Sequence, residues 1–204
     1  PSEIDSSLTR IVSSNDALQW RTHATAAGDT IRQVLVVTWT DSAPLPNAAG
    51  QPAAPGTAPT LRDVVWVTAV PEVQRFCRAL SLQGEALTTR LQQYIGLPPT
   101  DGSTRFVELW ASPDDLARPC PDPEITDAAC TTGEGSAAAD ADYRQWFEGW
   151  RDAAYGPDGY PWTRLGYTYD WNPEADEVGV SEFILRPPAT VEVRRSVPTA
   201  EYCQ

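Results

Sequence analysis

The spacing of hydrophobic positions changes several times along the chain, and each change predicts an element. IRQVLVVTWT, 31–40, is dense in β-branched and aromatic residues, and its unbroken stretch from Val34 to Val37 predicts a strand covered on both faces, central in a sheet. RDVVWVTAV, 62–70, repeats that signature. TRFVELWA, 104–111, sets Phe106, Glu108 and Trp110 against Val107 and Leu109, the two-residue period of a strand. PEVQRFCRAL opens at Pro71 and predicts a short helix with Glu72 beside the positive end of its dipole. GEALTTRLQQYIG carries Leu87, Leu91, Tyr94 and Ile95 at helical spacing, stopped by Gly96 and blocked by Pro98 and Pro99. Both helices are expected on one face of the sheet.

Beyond these, Ser112 caps one helical turn in SPDDLARP, and ADYRQWFEGWRDAAYG places Tyr143, Trp146, Phe147, Trp150 and Ala154 on one stripe of an amphipathic helix. WTRLGYTYDW, 162–171, reads as a strand with Trp162, Arg164, Gly166, Thr168 and Asp170 on one face. VSEFIL and TVEVRRSV read as a closing antiparallel pair separated by Arg186, Pro187 and Pro188. For residues 1–30 a short helix and edge strands both fit. Loops are expected at 131–139 and 156–161, and a Pro/Ala/Gly-rich excursion at 41–61. The sum is an α+β fold over 1–204 as one globular domain: a mostly antiparallel sheet of about six strands, about three packing helices, many loops.

Composition narrows the function. The basic residues are 15, all Arg, against 28 carboxylates, a net charge of −13. Such a surface repels phosphate backbones and anionic lipid, which argues against nucleic acid and the membrane surface as partners. No apolar run reaches the length of a spanning helix, so no transmembrane segment is expected. The start at Pro1 reads as a processed mature terminus, and a trimmed chain would look the same.

Four cysteines, an even number, fit an oxidising compartment: periplasm, cell surface or medium. They allow three pairings. Cys120 and Cys130 bracket the proline-stiffened stretch CPDPEITDAAC, so their pairing closes a short loop and leaves Cys77 with Cys203. Zinc is the rival, but there is no C-x2-C pair and the only histidine, His23, lies far away in sequence.

A single histidine also leaves no triad for nucleophilic catalysis, and the usual haem, zincin, phosphate-loop and dinucleotide motifs are missing. Carboxylate chemistry survives. A glycan hydrolase needs two facing carboxyl groups, and Glu108, Asp170 and Glu182 are the acids expected to point inward. Cross-strand pairing of Glu108 and Glu182 with Arg105, Arg164 or Arg194 is the structural alternative. Calcium is the one cofactor to weigh: Asp170, Asn172, Glu174 and Asp176 stand at alternate positions, and Asp122, Glu124 and Asp127 cluster in the cysteine loop. Neither segment has the glycine of an EF-hand loop, and turn-forming side chains explain both without an ion.

RLQQYIGLPP, RFVELWASPDDLARPCPDPEI and YPWTRLGYTYDW resemble segments of exported bacterial proteins of unassigned function, over roughly residues 62–185. The resemblance implies an exported setting and brings no catalytic residue. The expected function is therefore a non-catalytic, extracytoplasmic binding or assembly protein with a protein partner. The alternatives are the glycan hydrolase and a small-ligand carrier lined by Trp39, Trp66, Trp110 and Tyr167.

Overall fold

β-branched and aromatic residues together predominate in the strands of this computed structural model, which describes residues 8–24, 28–41, 54–131, 139–156, 159–160 and 162–204. In chain order come β1 (Trp20–Ala24), β2 (Thr30–Thr40), β3 (Thr60–Leu61), β4 (Val65–Ala69), α1 (Glu72–Ala79), α2 (Gly84–Ile95), β5 (Arg105–Ala111) and β6 (Leu116–Ala117). There follow α3 (Ala141–Ala154), β7 (Tyr167–Tyr169), β8 (Val178–Ser181), β9 (Phe183–Leu185), β10 (Ala189–Thr190), β11 (Glu192–Pro198) and α4 (Thr199–Tyr202). The class is α+β, with mostly antiparallel pairing, as the residue patterns predict. Two compact units divide the chain: one comprises 1–10, 82–101 and 118–182, the other 11–81, 102–117 and 183–204.

The larger sheet lies wholly in the second unit, in the order β11-β5-β2-β4-β9-β6, with β1 pairing β2 beside it. β2 is its spine. β5 pairs with it from Val34 opposite Ala111 to Thr40 opposite Arg105, while its other edge is shared by β1 and β4. Val34, Leu35 and Val36 are fully enclosed, as a continuous apolar run predicts for a strand covered on both faces. α1 packs on β4 through Val73 and Cys77, one turn apart, and α4 packs on β5 and β11. A disulfide from Cys77 to Cys203 joins α1 to the residue after α4, with the Cα atoms 5.3 Å apart.

The first unit pairs helices with a small hairpin. α2 packs on β7 and β8, the hairpin of its own unit, where the expectation set it beside α1 on a single sheet. The reason lies at its end: Gly96 takes the left-handed conformation at φ 74° and donates its N–H back to the helix, and the chain then turns so that Trp171 Nε1 donates to Leu97 O at 2.9 Å. Thr168 Oγ1 donates to Tyr94 O at 2.6 Å and accepts from Val180 N at 2.9 Å, tying helix and hairpin together. Between these groups lies Gly179, where a Cβ would overlap Thr168 Oγ1 and Tyr94 O.

Two strand expectations need correction. WTRLGYTYDW holds only three strand residues, because Thr163 Oγ1 accepts from Leu165 N at 3.1 Å and both Arg164 (φ 60°) and Gly166 (φ 81°) leave the extended region. β9 and β11 share a sheet but are not neighbours. Two successive prolines supply no N–H for a tight hairpin; β10 pairs with β3, and β11 continues to β5. Of the excursion, residues 42–53 lie outside the described residues; its far end is anchored, with Gly56 N donating to Val193 O at 2.8 Å and Val193 N to Thr57 O at 2.9 Å. The loop residues 132–138 and most of the turn at 157–161 also lie outside the described residues, and β1 realises the edge-strand alternative for the early chain.

Candidate functional site

The three inward carboxylates have different surroundings. Glu108, on β5, is completely buried, and the adjacent edge strand β11 brings Arg195 opposite it. Arg195 Nε and Nη2 donate to its two oxygens at 2.8 and 2.7 Å, and Arg194 Nη1 adds a third bond at 2.7 Å. Both guanidiniums reach solvent at their outer side. Asp170, just past β7 in the first unit, is 2% exposed and takes a two-pronged pair from Arg90 of α2 at 3.0 and 2.7 Å. These two acids stand in different units, each neutralised by arginine. Among the described residues no arginine meets Glu182: Arg105 donates to Ser196, Arg194 donates to Glu108, and Arg164 lies over the Tyr155 ring.

Glu182 follows β8. Part of the residue reaches solvent, but its Oε2 does not, and this oxygen has no hydrogen-bond partner among the described residues. Enclosure raises its pKa to about 8, offset only in part by the nearby Trp162 side chain. A carboxyl so placed is neutral at pH 7, a donor or acid rather than a charge.

Trp162 in turn belongs to an aromatic layer on α3. Asp140 caps that helix by accepting from Tyr143 N at 2.7 Å, which fixes where the aromatic stripe begins. Tyr143 packs against Trp146 (5.5 Å between ring centres) and Phe147 (6.1 Å); Trp162 lies edge-on to Phe147 at 5.2 Å and Trp146 at 6.2 Å; Trp146 continues to Trp150 at 6.5 Å. The inner end is buried, with the Tyr143 hydroxyl donating to Arg118 O at 2.6 Å and accepting from Cys120 N at 3.1 Å. The outer end is open: Trp150 is 39% exposed, Tyr155 58% and Tyr160 47%. The Arg164 guanidinium lies 4.9 Å from the centre of the Tyr155 ring. The stripe was legible as an amphipathic face, but its open end was not, since periodicity marks which side is apolar and not how far the cover extends.

The stretch between Cys120 and Cys130 is a disulfide-closed loop, with Cα atoms 6.4 Å apart. Leu8 and Tyr167 pack on the bridge. Its carbonyls turn inward onto Arg118, which is fully buried and donates to Glu124 O at 3.1 Å, Asp127 O at 3.0 Å and Thr9 O at 3.3 Å. Arg118 carries no sequence signal, because an arginine beside Pro119 and Cys120 reads as surface. Burial would raise the Glu124 pKa, but bonds from the Thr126 hydroxyl and the Thr126 and Asp127 amides, with Arg118 nearby, hold it below the ordinary value.

The alternate spacing that suggested calcium has another source. Asp170 Oδ1 accepts from Asn172 N at 3.1 Å, Asn172 Oδ1 from Glu174 N at 3.1 Å, and Asp176 Oδ1 from Val178 N at 3.3 Å. A side chain bonding the amide two residues on generates the same period of two. Asp127 does likewise with Ala129 N at 3.1 Å. Among the described residues no three His, Cys, Asp or Glu side chains gather as a metal set. Of the carrier residues, Trp39 stacks on Phe106 and donates to Thr199 Oγ1 at 2.9 Å, Trp66 stands on β4, Trp110 lies under Arg21, and Tyr167 packs on the Cys120–Cys130 bridge. His23 stands on β1 near Glu192, whose partner is Arg21. Among the described residues no helix is long and apolar enough to cross a membrane. No family model, curated protein or solved structure matches this chain.

Proposed function

We propose that this chain is a non-catalytic, extracytoplasmic binding protein that docks a protein partner through the aromatic face of α3. The observation that carries the reading is the run of rings from Tyr143 through Trp146 to Trp150, buried at one end and open at the other, with Tyr155 and Tyr160 exposed. Trp and Tyr are the side chains that most often dominate binding energy, and a ring held by packed neighbours loses little freedom on docking. Arginine holds two of the three acids that hydrolysis would draw on, which favours binding over glycan cleavage. Two disulfides support an oxidising location.

A photo-crosslinking residue placed at Glu148, exposed on α3, tests this in the producing cells. One discrete heavier adduct is expected, reduced roughly tenfold or more by Trp150→Ala with Tyr155→Ala, as for paired hot spots. The same crosslinker at Thr89 on α2 should give none. No adduct at Glu148, or one indifferent to the two alanines, overturns the reading.

A further inference from the structure

We propose that the partner of the α3 face is basic: a protein segment rich in arginine, whose guanidinium groups lie on the exposed rings of Trp150 and Tyr155 while its charge meets the carboxylates around them. The inference rests on that face being a docking surface and names what docks there.

Charge is divided unevenly between the two units. The unit that carries α3 holds 18 carboxyl groups against 6 arginines, a balance of −12 (6 − 18) out of the chain's −13, whereas the other holds 10 against 9, a balance of −1 (9 − 10). Glu182, neutral at pH 7, lowers the first count by one and leaves the contrast intact. Charge kept only for solubility would serve as well spread over both. The arginines of the acidic unit are turned to its own structure: Arg90 pairs with Asp170, Arg118 is buried among carbonyls, Arg151 pairs with Asp152, and Arg144 donates to Ala139 O. A field of one sign around the exposed rings speeds and selects partners of the opposite sign. It repels a second copy of this chain, which brings the same charge.

The helix sets acid beside ring. Asp142, Trp146 and Trp150 follow at intervals of four and so share one edge of α3, and Asp142 is exposed. Gly149, one turn after Trp146, lies along the same edge; it is exposed, and a Cβ there would meet nothing within 4 Å. Space beside the rings is thus open on the side where Asp142 stands. At the outer end the Tyr155 ring already takes a guanidinium, that of Arg164 at 4.9 Å, and elsewhere Trp110 and Trp20 take Arg21 and Arg32 at 4.8 Å each. A guanidinium over a ring gains from the negative face and keeps its in-plane N–H groups for carboxylates, which suits arginine better than lysine.

Position 149 supplies the test, because a side chain there enters open space and a helix interior favours it over glycine, so Gly149→Arg and Gly149→Glu should both fold. The two differ little in size and are opposite in charge. The probe is an acetylated peptide of alternating arginine and glycine, titrated into the full chain by calorimetry beside the same peptide with neutral citrulline for arginine. The arginine peptide should bind about tenfold more tightly or better, and Trp150→Ala with Tyr155→Ala should remove about tenfold. Gly149→Arg should weaken binding about threefold and Gly149→Glu tighten it about threefold, both shifts shrinking as salt shortens the screening length from about 10 Å at 0.1 M to about 3 Å at 1 M. Equal binding of the two peptides, equal loss in both variants at 149, or an alanine pair that binds as the parent does overturns the proposal. The peptide comparison on the parent chain decides the matter if a variant fails to fold. The same two substitutions beside the crosslinker at Glu148 separate the readings: an adduct that neither changes leaves the docking surface standing and removes the basic partner, whereas no adduct removes the docking surface itself.

Discussion

Replacing Cys77 and Cys203 together by alanine should cost about 5 kcal/mol of stability, against about 3 kcal/mol for Cys120 with Cys130. The ranking follows from loop length. The bridges span 126 and 10 positions, and the entropy withdrawn from the unfolded chain grows as one and a half times R times the logarithm of the loop, which separates them by about 2 kcal/mol. Their Cα distances of 5.3 and 6.4 Å both lie in the range a bridge spans without moving the backbone. The short loop is nested in the long one and shortens it from 126 to 116 positions (126 − 10), a change of about 0.1 kcal/mol, so the two losses should add. Urea unfolding followed by tryptophan fluorescence and far-ultraviolet circular dichroism in parallel measures both, and the two probes reveal whether the units melt separately. A loss for the short bridge equal to or greater than that for the long one refutes the reasoning.

Stability should also depend on pH through Glu182. The unfolded carboxyl titrates near 4.5 and the folded one near 8, so across that window the folded chain keeps a proton the unfolded chain has lost, and stability falls as pH rises. Glu182→Gln removes that slope: about equal to the parent at pH 4 and more stable by about 4 kcal/mol at pH 8, from urea midpoints at each pH. Arg194→Ala with Arg195→Ala leaves Glu108 buried without a cation and should cost about 3–5 kcal/mol by the same assay, while Glu108→Gln costs less because both guanidiniums reach solvent. Gly179→Ala drives a methyl into Thr168 and Tyr94, and a loss of about 1–3 kcal/mol is expected as a lowered thermal midpoint.

The residues that speak for themselves in sequence are those whose local chemistry and burial agree. Gly96 ends α2, Asp140 starts α3, Ser112 caps its single turn, and the Val34–Val37 run fixes the spine of the sheet. The cysteine pairing followed from spacing alone. Where the strand reading failed, a short-range bond had displaced the expected period: Thr163 bends the chain before β7. Long-range choices left no local trace at all. Nothing in α2 says that it packs on β7 and β8, nothing in β9 says that β4 is its neighbour, and nothing near Glu182 says that, among the described residues, it lacks the arginine that meets the other two acids.

The strand order has a consequence for how the chain is made. β2 and β5 can pair as soon as Ala111 has left the ribosome, but β9 and β11, which complete the sheet on either side, begin only at Phe183 and Glu192. Until then the outer edge of β5 offers unpaired N–H and carbonyl groups to any other strand, so a nascent chain has to be kept from self-association while the sheet is half built.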